Sequence, residues 1–125
     1  MPTAIVADDD PQIREVVKHV LEHGGFRVIE VGNGMKALSA LQSNSADLIV
    51  LDIFMPELGG LAFLENLPAR YRKIPVIAMT GGADMQPGDL LERAKRLGAS
   101  RVFSKPFKVE ALAEAVRELV PPPKP

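Results

Sequence analysis

Short apolar runs alternate along this chain with segments of helical period, and each such pair reads as one βα unit of a parallel sheet. The runs are Ala4 to Ala7, Phe26 to Val31, Leu48 to Leu51, Val76 to Met79 and Val102 to Phe103, which predicts five strands. Three of them read as buried from both faces, as central parallel strands are. Between the first two runs, Ile13, Val16, Val17, Val20 and Leu21 recur at i, i+3, i+4, i+7 and i+8, while Arg14, Glu15, Lys18 and Glu22 fall outside that stripe. Asp10 before Pro11 supplies an N-cap and a proline at the first helical position, and Gly24-Gly25 supplies the stop. The last helix repeats the pattern with Val109, Leu112, Ala113, Val116, Leu119 and Val120. Helices around 34–44, 59–67 and 88–97 are less regular, each bounded by Gly or Pro. The Pro-Pro-Pro-Lys-Pro that follows Val120 cannot continue a helix. The expected organisation is one doubly wound α/β domain over residues 1–120 and a proline-rich tail over 121–125.

Composition narrows the function classes. A chain of 125 residues with 46% apolar content suits one core and is too short for two ordinary domains. Its 15 Lys and Arg nearly balance 16 Asp and Glu, so no global field draws it to nucleic acid or to an anionic membrane. No cysteine occurs, which excludes a disulfide framework and thiol chemistry. The N-terminus has neither a basic region nor a long apolar stretch, so a soluble, cytoplasmic protein is expected.

In an open parallel sheet, ligands bind at the carboxyl ends of the strands. Those ends are unusually polar here: Asp8-Asp9-Asp10 after the first run, Asp52 after the third, Thr80 with Gly81-Gly82 after the fourth, and Lys105-Pro106 after the fifth. Carboxylates crowded together repel one another unless a cation neutralises them, and hard oxygen donors suit Mg²⁺ or a similar ion. Each residue alone has a plain structural reading. Asp10 caps a helix, three acids favour a helix N-terminus, Asp52 before Met55-Pro56 is a turn aspartate, Thr80 is a strand-end hydroxyl and Lys105 a surface lysine. The joint reading rests on their order at the ends of strands one, three, four and five.

From Ala4 to Leu119 the sequence resembles the receiver domains of two-component response regulators. Ile5-Val-Ala-Asp-Asp-Asp-Pro resembles the acidic segment of that family, and Asp47-Leu-Ile-Val-Leu-Asp-Ile-Phe-Met-Pro followed by Gly60 resembles its phosphoacceptor segment. Pro75-Val-Ile-Ala-Met-Thr-Gly resembles the switch-hydroxyl strand, and Gly98-Ala-Ser-Arg-Val-Phe-Ser-Lys-Pro-Phe the lysine segment. The resemblance implies a five-stranded parallel sheet in the flavodoxin-like order 2-1-3-4-5 with five helices, an order for which a member of this family is itself a type example. It implies that Asp52 takes a phosphoryl group from a histidine kinase or histidine phosphotransfer protein, docking near the first helix and the acidic cluster. Mg²⁺ would be held directly by Asp9, Asp52 and the backbone carbonyl of Phe54, and through water by Asp8. Lys105 would pair with one phosphoryl oxygen and Thr80 with another, in a site that catalyses only its own phosphorylation and dephosphorylation. A cis Lys105-Pro106 bond is a further expectation, and the readout face would comprise the fourth helix, fifth strand and fifth helix.

The sequence departs from that family pattern in three places. The position three before Lys105, usually an aromatic that moves with the threonine, is Val102, and Phe103 should point to the opposite face of its strand. The loop Gly81-Gly-Ala-Asp-Met-Gln-Pro-Gly is slightly long and glycine-rich, so its movement is expected to carry the switch. Phe54 and Gly82 stand where the family sets the rate of phosphoryl loss, and neither offers a group to orient water. A haloacid-dehalogenase-type phosphatase would need a second aspartate where Phe54 stands, and a flavin-binding fold would place three aspartates against a phosphate. A receiver used only as an interaction module fits the missing aromatic but not the intact Asp9, Asp52, Thr80 and Lys105. His19 and His23 are spaced as metal ligands can be but lack further ligands, so they read as flanking the first helix's buried stripe. Met35, Met55, Met79 and Met85 read as packing, and Arg70, Arg72 and Lys73 as a solvated turn.

Overall fold

The computed structural model describes the chain except residues 56, 82–86 and 122–125, and the side chains of 87–91 are likewise not described. Five strands, β1 (Thr3–Ala7), β2 (Arg27–Val31), β3 (Leu48–Asp52), β4 (Val76–Thr80) and β5 (Arg101–Ser104), form one sheet in the order β2-β1-β3-β4-β5. Every pairing is parallel. Five helices intervene: α1 (Pro11–His23), α2 (Gly34–Ser43), α3 (Gly60–Glu65), α4 (Pro87–Arg96) and α5 (Val109–Leu119).

The alternation of side chains along each strand divides the core into two layers. Ile5, Ile49, Leu51 and Ala78 face one side, where Ala37 and Leu41 of α2, Phe63 and Leu64 of α3, and Ala94 of α4 cover them. Val6, Leu48, Val50, Ile77 and Met79 face the other, against Val17 and Leu21 of α1 and Leu112 and Val116 of α5. β3 and β4 are buried at every residue and β1 from Ala4 onward, whereas β2 and β5 are partly exposed edges. Val102 packs against the first layer and Phe103 against the second, so the aromatic does lie on the face opposite Val102.

Boundaries follow local chemistry. Asp10 caps α1 by accepting the Gln12 N–H at 2.9 Å, and Gly24 closes it ahead of Gly25 at φ 91°. α3 stops at Glu65, earlier than its apolar pattern suggests, because Leu67 precedes Pro68, which disfavours helix in the residue before it. A short 3₁₀ turn at Ala69–Tyr71 follows, with the Arg70 guanidinium 4.8 Å over the Tyr71 ring and Arg72 and Lys73 exposed. No helix among the described residues is long and apolar enough to cross a membrane.

Candidate functional site

The carboxyl ends of β1, β3, β4 and β5 meet at one edge of the sheet, and the polar residues that follow them come together there. Carboxylate oxygens of Asp8, Asp9 and Asp52 lie within 4.8 Å of one another. Asp8 and Asp52 are buried while Asp9 is exposed. Lys105 reaches in from the end of β5 and places Nζ 2.8 Å from Asp8 Oδ2 and 3.2 Å from Asp52 Oδ2. Its peptide bond to Pro106 is cis.

The remaining oxygens of the buried pair are held by backbone donors. Asp8 Oδ1 accepts the Asp10 N–H at 2.9 Å, and Asp52 Oδ1 accepts the Phe54 N–H at 3.2 Å. Two groups thus share one ammonium in a poorly solvated place, and the protonation equilibria respond. Burial, reinforced by the charge of Asp8, pushes the Asp52 carboxyl up to about 6, against the opposing pull of Lys105 and the Phe54 N–H. For Lys105, burial alone lowers the pKa, but the Asp8 hydrogen bond and the charges of Asp52 and Asp8 outweigh it and hold the ammonium above its usual range.

Thr80 ends β4 one position beyond Met79, which pairs with Asp52 across the sheet. Its hydroxyl oxygen is buried without a hydrogen-bond partner among the described residues, an expensive state for a polar atom unless a further group completes it. Phe54 is 39% exposed at the mouth of a shallow cleft of about 630 Å³ whose walls include Asp9, Asp52, Gly81 and Lys105. Gly82 and most of the glycine-rich loop lie outside the described residues, as does Met85.

The donor set fits a small divalent cation. Among the described residues three carboxylates face a single ammonium, which leaves about two negative charges uncompensated, and the donors are all oxygen. His19 is instead engaged with Glu15 at 3.0 Å on the exposed face of α1, and neither His19 nor His23 joins an acidic cluster among the described residues.

Two supporting contacts escaped sequence reasoning. Arg14 Nη1 donates to the Asp8 carbonyl at 2.7 Å, with Nε 3.7 Å from Glu30, bracing the acidic loop from α1 and β2. Asn33, at the start of α2, donates to Glu57 in the loop after Asp52. The sequence signal for the second was only that of a helix cap, an asparagine immediately before a helical pattern.

Comparison with known proteins agrees with this arrangement. The family model described as response regulator receiver domain matches residues 4–117. The chain is 29% identical to sporulation initiation phosphotransferase F of Bacillus subtilis, an alignment covering 94% of this chain and 92% of that protein. It is 36% identical to the response regulator GtcR of Aneurinibacillus migulanus over 94% of its own length but only 47% of the relative's. The solved receiver domain of a signal transduction histidine kinase from Syntrophus aciditrophicus superposes with a TM-score of 0.85 at 32% identity, covering 99% of this chain and 96% of that one.

Proposed function

This chain belongs to the response regulator receiver domain family of two-component signalling, and from that membership we propose that Asp52 accepts a phosphoryl group from a phosphohistidine donor. The observation that carries the reading is the shared ion contact of Lys105 with Asp8 and Asp52, set against the acidic cluster and the unpartnered Thr80 hydroxyl.

An Asp52 carboxylate oxygen attacks phosphorus while the P–N bond to the donor imidazole breaks, the ring nitrogen keeping the electron pair. The product is an acyl phosphate. Asp9, Asp52 and the Phe54 carbonyl would hold Mg²⁺ directly, with Asp8 acting through water. The bound ion supplies charge neutralisation on the transferring group. Lys105 exchanges a carboxylate partner for a phosphoryl oxygen, and the Thr80 hydroxyl donates to another. Loss of the phosphoryl group follows by attack of water at phosphorus, which releases inorganic phosphate and restores the carboxylate.

The name of the Bacillus relative, a phosphotransferase that this chain spans nearly end to end, agrees with a place in a phosphoryl relay. The donor would be a histidine kinase or histidine phosphotransfer protein approaching α1 and the acidic cluster. Engagement of Thr80 would favour one of two arrangements of the segment after it and so alter protein contacts. With Val102 in place of an aromatic, that segment rather than a rotating ring would carry the signal to α4, β5 and α5.

The test is intact mass after incubation with acetyl phosphate, with and without Mg²⁺, on the wild type and on Asp52→Asn. The expected result is a Mg²⁺-dependent gain of one phosphoryl group that the variant lacks. No gain in the wild type would replace this reading with that of an interaction module.

A further inference from the structure

The loop that joins β3 to α3 is seated on the start of α2 by contacts that the phosphoacceptor reading does not use. Asn33 is buried, and its side-chain amide does two things at once. Its Oδ1 accepts the Lys36 N–H at 2.8 Å, which caps α2, while Nδ2 donates to Glu57 Oε2 at 3.3 Å. The neighbouring Gly34 donates its N–H to the Leu58 carbonyl at 2.9 Å. A Cβ on Gly34 would fall 2.4 Å from that oxygen and 3.0 Å from Leu58 Cβ, so this approach is open only to glycine. The far end of the loop is pinned as well, by the Gly60 N–H on the Ile53 carbonyl at 2.8 Å.

Glu57 itself has φ 67°, in the left-handed region that costs a residue with a β-carbon on the order of 1 kcal/mol. A strained residue persists where its surroundings hold it, and among the described residues the Asn33 amide is a side-chain partner of this one. Only Met55 and Pro56 separate Glu57 from Phe54, whose N–H bonds Asp52 Oδ1. Glu57 thus lies only three positions from Phe54 in the chain.

We propose that Asn33 and Gly34 are positioning residues for the cation site, clamping Glu57 and Leu58 so that the Phe54 carbonyl is presented alongside Asp9 and Asp52. The proposal rests on the phosphoacceptor reading and adds to it a structural dependence of metal affinity on the β2–α2 junction. Partners that orient metal ligands are commonly worth ten- to a hundredfold in affinity. The Asn33–Glu57 contact is long and Glu57 is exposed, so roughly three- to tenfold is expected from it.

The experiment is calorimetric titration with Mg²⁺ alone on the wild type, on Asn33→Ser and on the double variant Asn33→Asp with Glu57→Gln. Serine keeps an acceptor for the helix cap, removes the amide donor and leaves the charge unchanged. The double variant reverses the direction of the hydrogen bond and keeps the same net charge. The expected result is weaker Mg²⁺ binding by Asn33→Ser, with the double variant within about twofold of the wild type, since it retains the bond. Thermal midpoints without metal separate the two kinds of effect, because a merely structural residue would lower the midpoint and leave the affinity alone. Wild-type affinity in Asn33→Ser, or a double variant as weak as the serine variant, would overturn the proposal. Should Asn33→Ser fail to fold, Glu57→Ala against Glu57→Gln reads the same bond, since both lose the charge and only glutamine keeps an acceptor. Weaker binding by the alanine variant supports the clamp and equal binding refutes it. A wild type that binds no Mg²⁺ overturns the phosphoacceptor reading and this proposal together, whereas a wild type that binds with all variants alike overturns the clamp alone.

Discussion

Asp52 is held in a state that opposes folding and favours chemistry. Its carboxyl is raised to about 6 from an ordinary 3.8, so between those pH values the folded chain binds more protons than the unfolded chain. Stability therefore falls as pH rises through that window, and the penalty is complete above the folded value. Asp52→Asn removes it, and in the absence of metal should stabilise the protein by on the order of 2 kcal/mol near pH 7. Near pH 3, where both states of the wild type are protonated, the gain should vanish. Denaturant midpoints at the two pH values check this, and an equal gain at both would mean that the charge of Asp52 is not the cause. Phe54 makes a second, kinetic prediction. On the proposed phosphoacceptor reading, Phe54, exposed and without an acid or amide to orient water, should leave an aspartyl phosphate on Asp52 long-lived. A phosphoryl lifetime of only seconds in the isolated protein, followed by loss of the mass increment, would refute that.

Elements differ in how plainly their sequences announce them. β1, β3 and β4 were legible because strands buried on both faces carry unbroken apolar runs, and α1 and α5 because their stripes keep one period with clear stops. β5 extends one residue beyond its apolar run at each end, since Arg101 and Ser104 are exposed at a sheet edge and carry no apolar signal. The carboxylate cluster was legible as strand ends facing one edge, but the contact of Lys105 with Asp8 joins residues 97 positions apart and was not, since the family resemblance gave Lys105 a phosphoryl oxygen rather than a carboxylate as its partner. The seat of the β3–α3 loop was not legible. It depends on backbone approaches between separate βα units, and a glycine in a sequence does not say what it lies against. Gly60 shows the scale of that dependence: a Cβ there would meet the Asp52 carbonyl at 2.5 Å and the Ile53 Cα at 2.8 Å. Both are backbone atoms that cannot swing aside, so Gly60→Ala should cost roughly 2 to 4 kcal/mol in thermal or denaturant unfolding. A change below about 0.5 kcal/mol, the range of an ordinary surface substitution, would show that the loop yields there.

At the scale of the whole molecule, the two-layered core and the sheet edge oppose one another. Side chains of β1, β3 and β4 unite the halves of the domain with apolar contacts on both faces, yet the same strands deliver Asp8, Asp52 and Thr80 to a place where charge is crowded and one hydroxyl is unpartnered. A cation bound by the folded chain and not by the unfolded one converts that local cost into global stability, by about 2.7 kcal/mol when its concentration is a hundred times its dissociation constant. For a domain of this size that corresponds to a rise in thermal midpoint of roughly 10 °C. Mg²⁺ should produce such a rise in the wild type and much less in Asp9→Asn, whose carboxylate is exposed while those of Asp8 and Asp52 are buried. The rise should also shrink as pH falls below about 6, because a cation must displace the proton that Asp52 then carries. Thermal unfolding with and without Mg²⁺ at pH 7.5 and pH 5 tests both parts. A midpoint shift that is the same at both pH values, or that survives in Asp9→Asn, would place the ion somewhere other than this strand-end cluster.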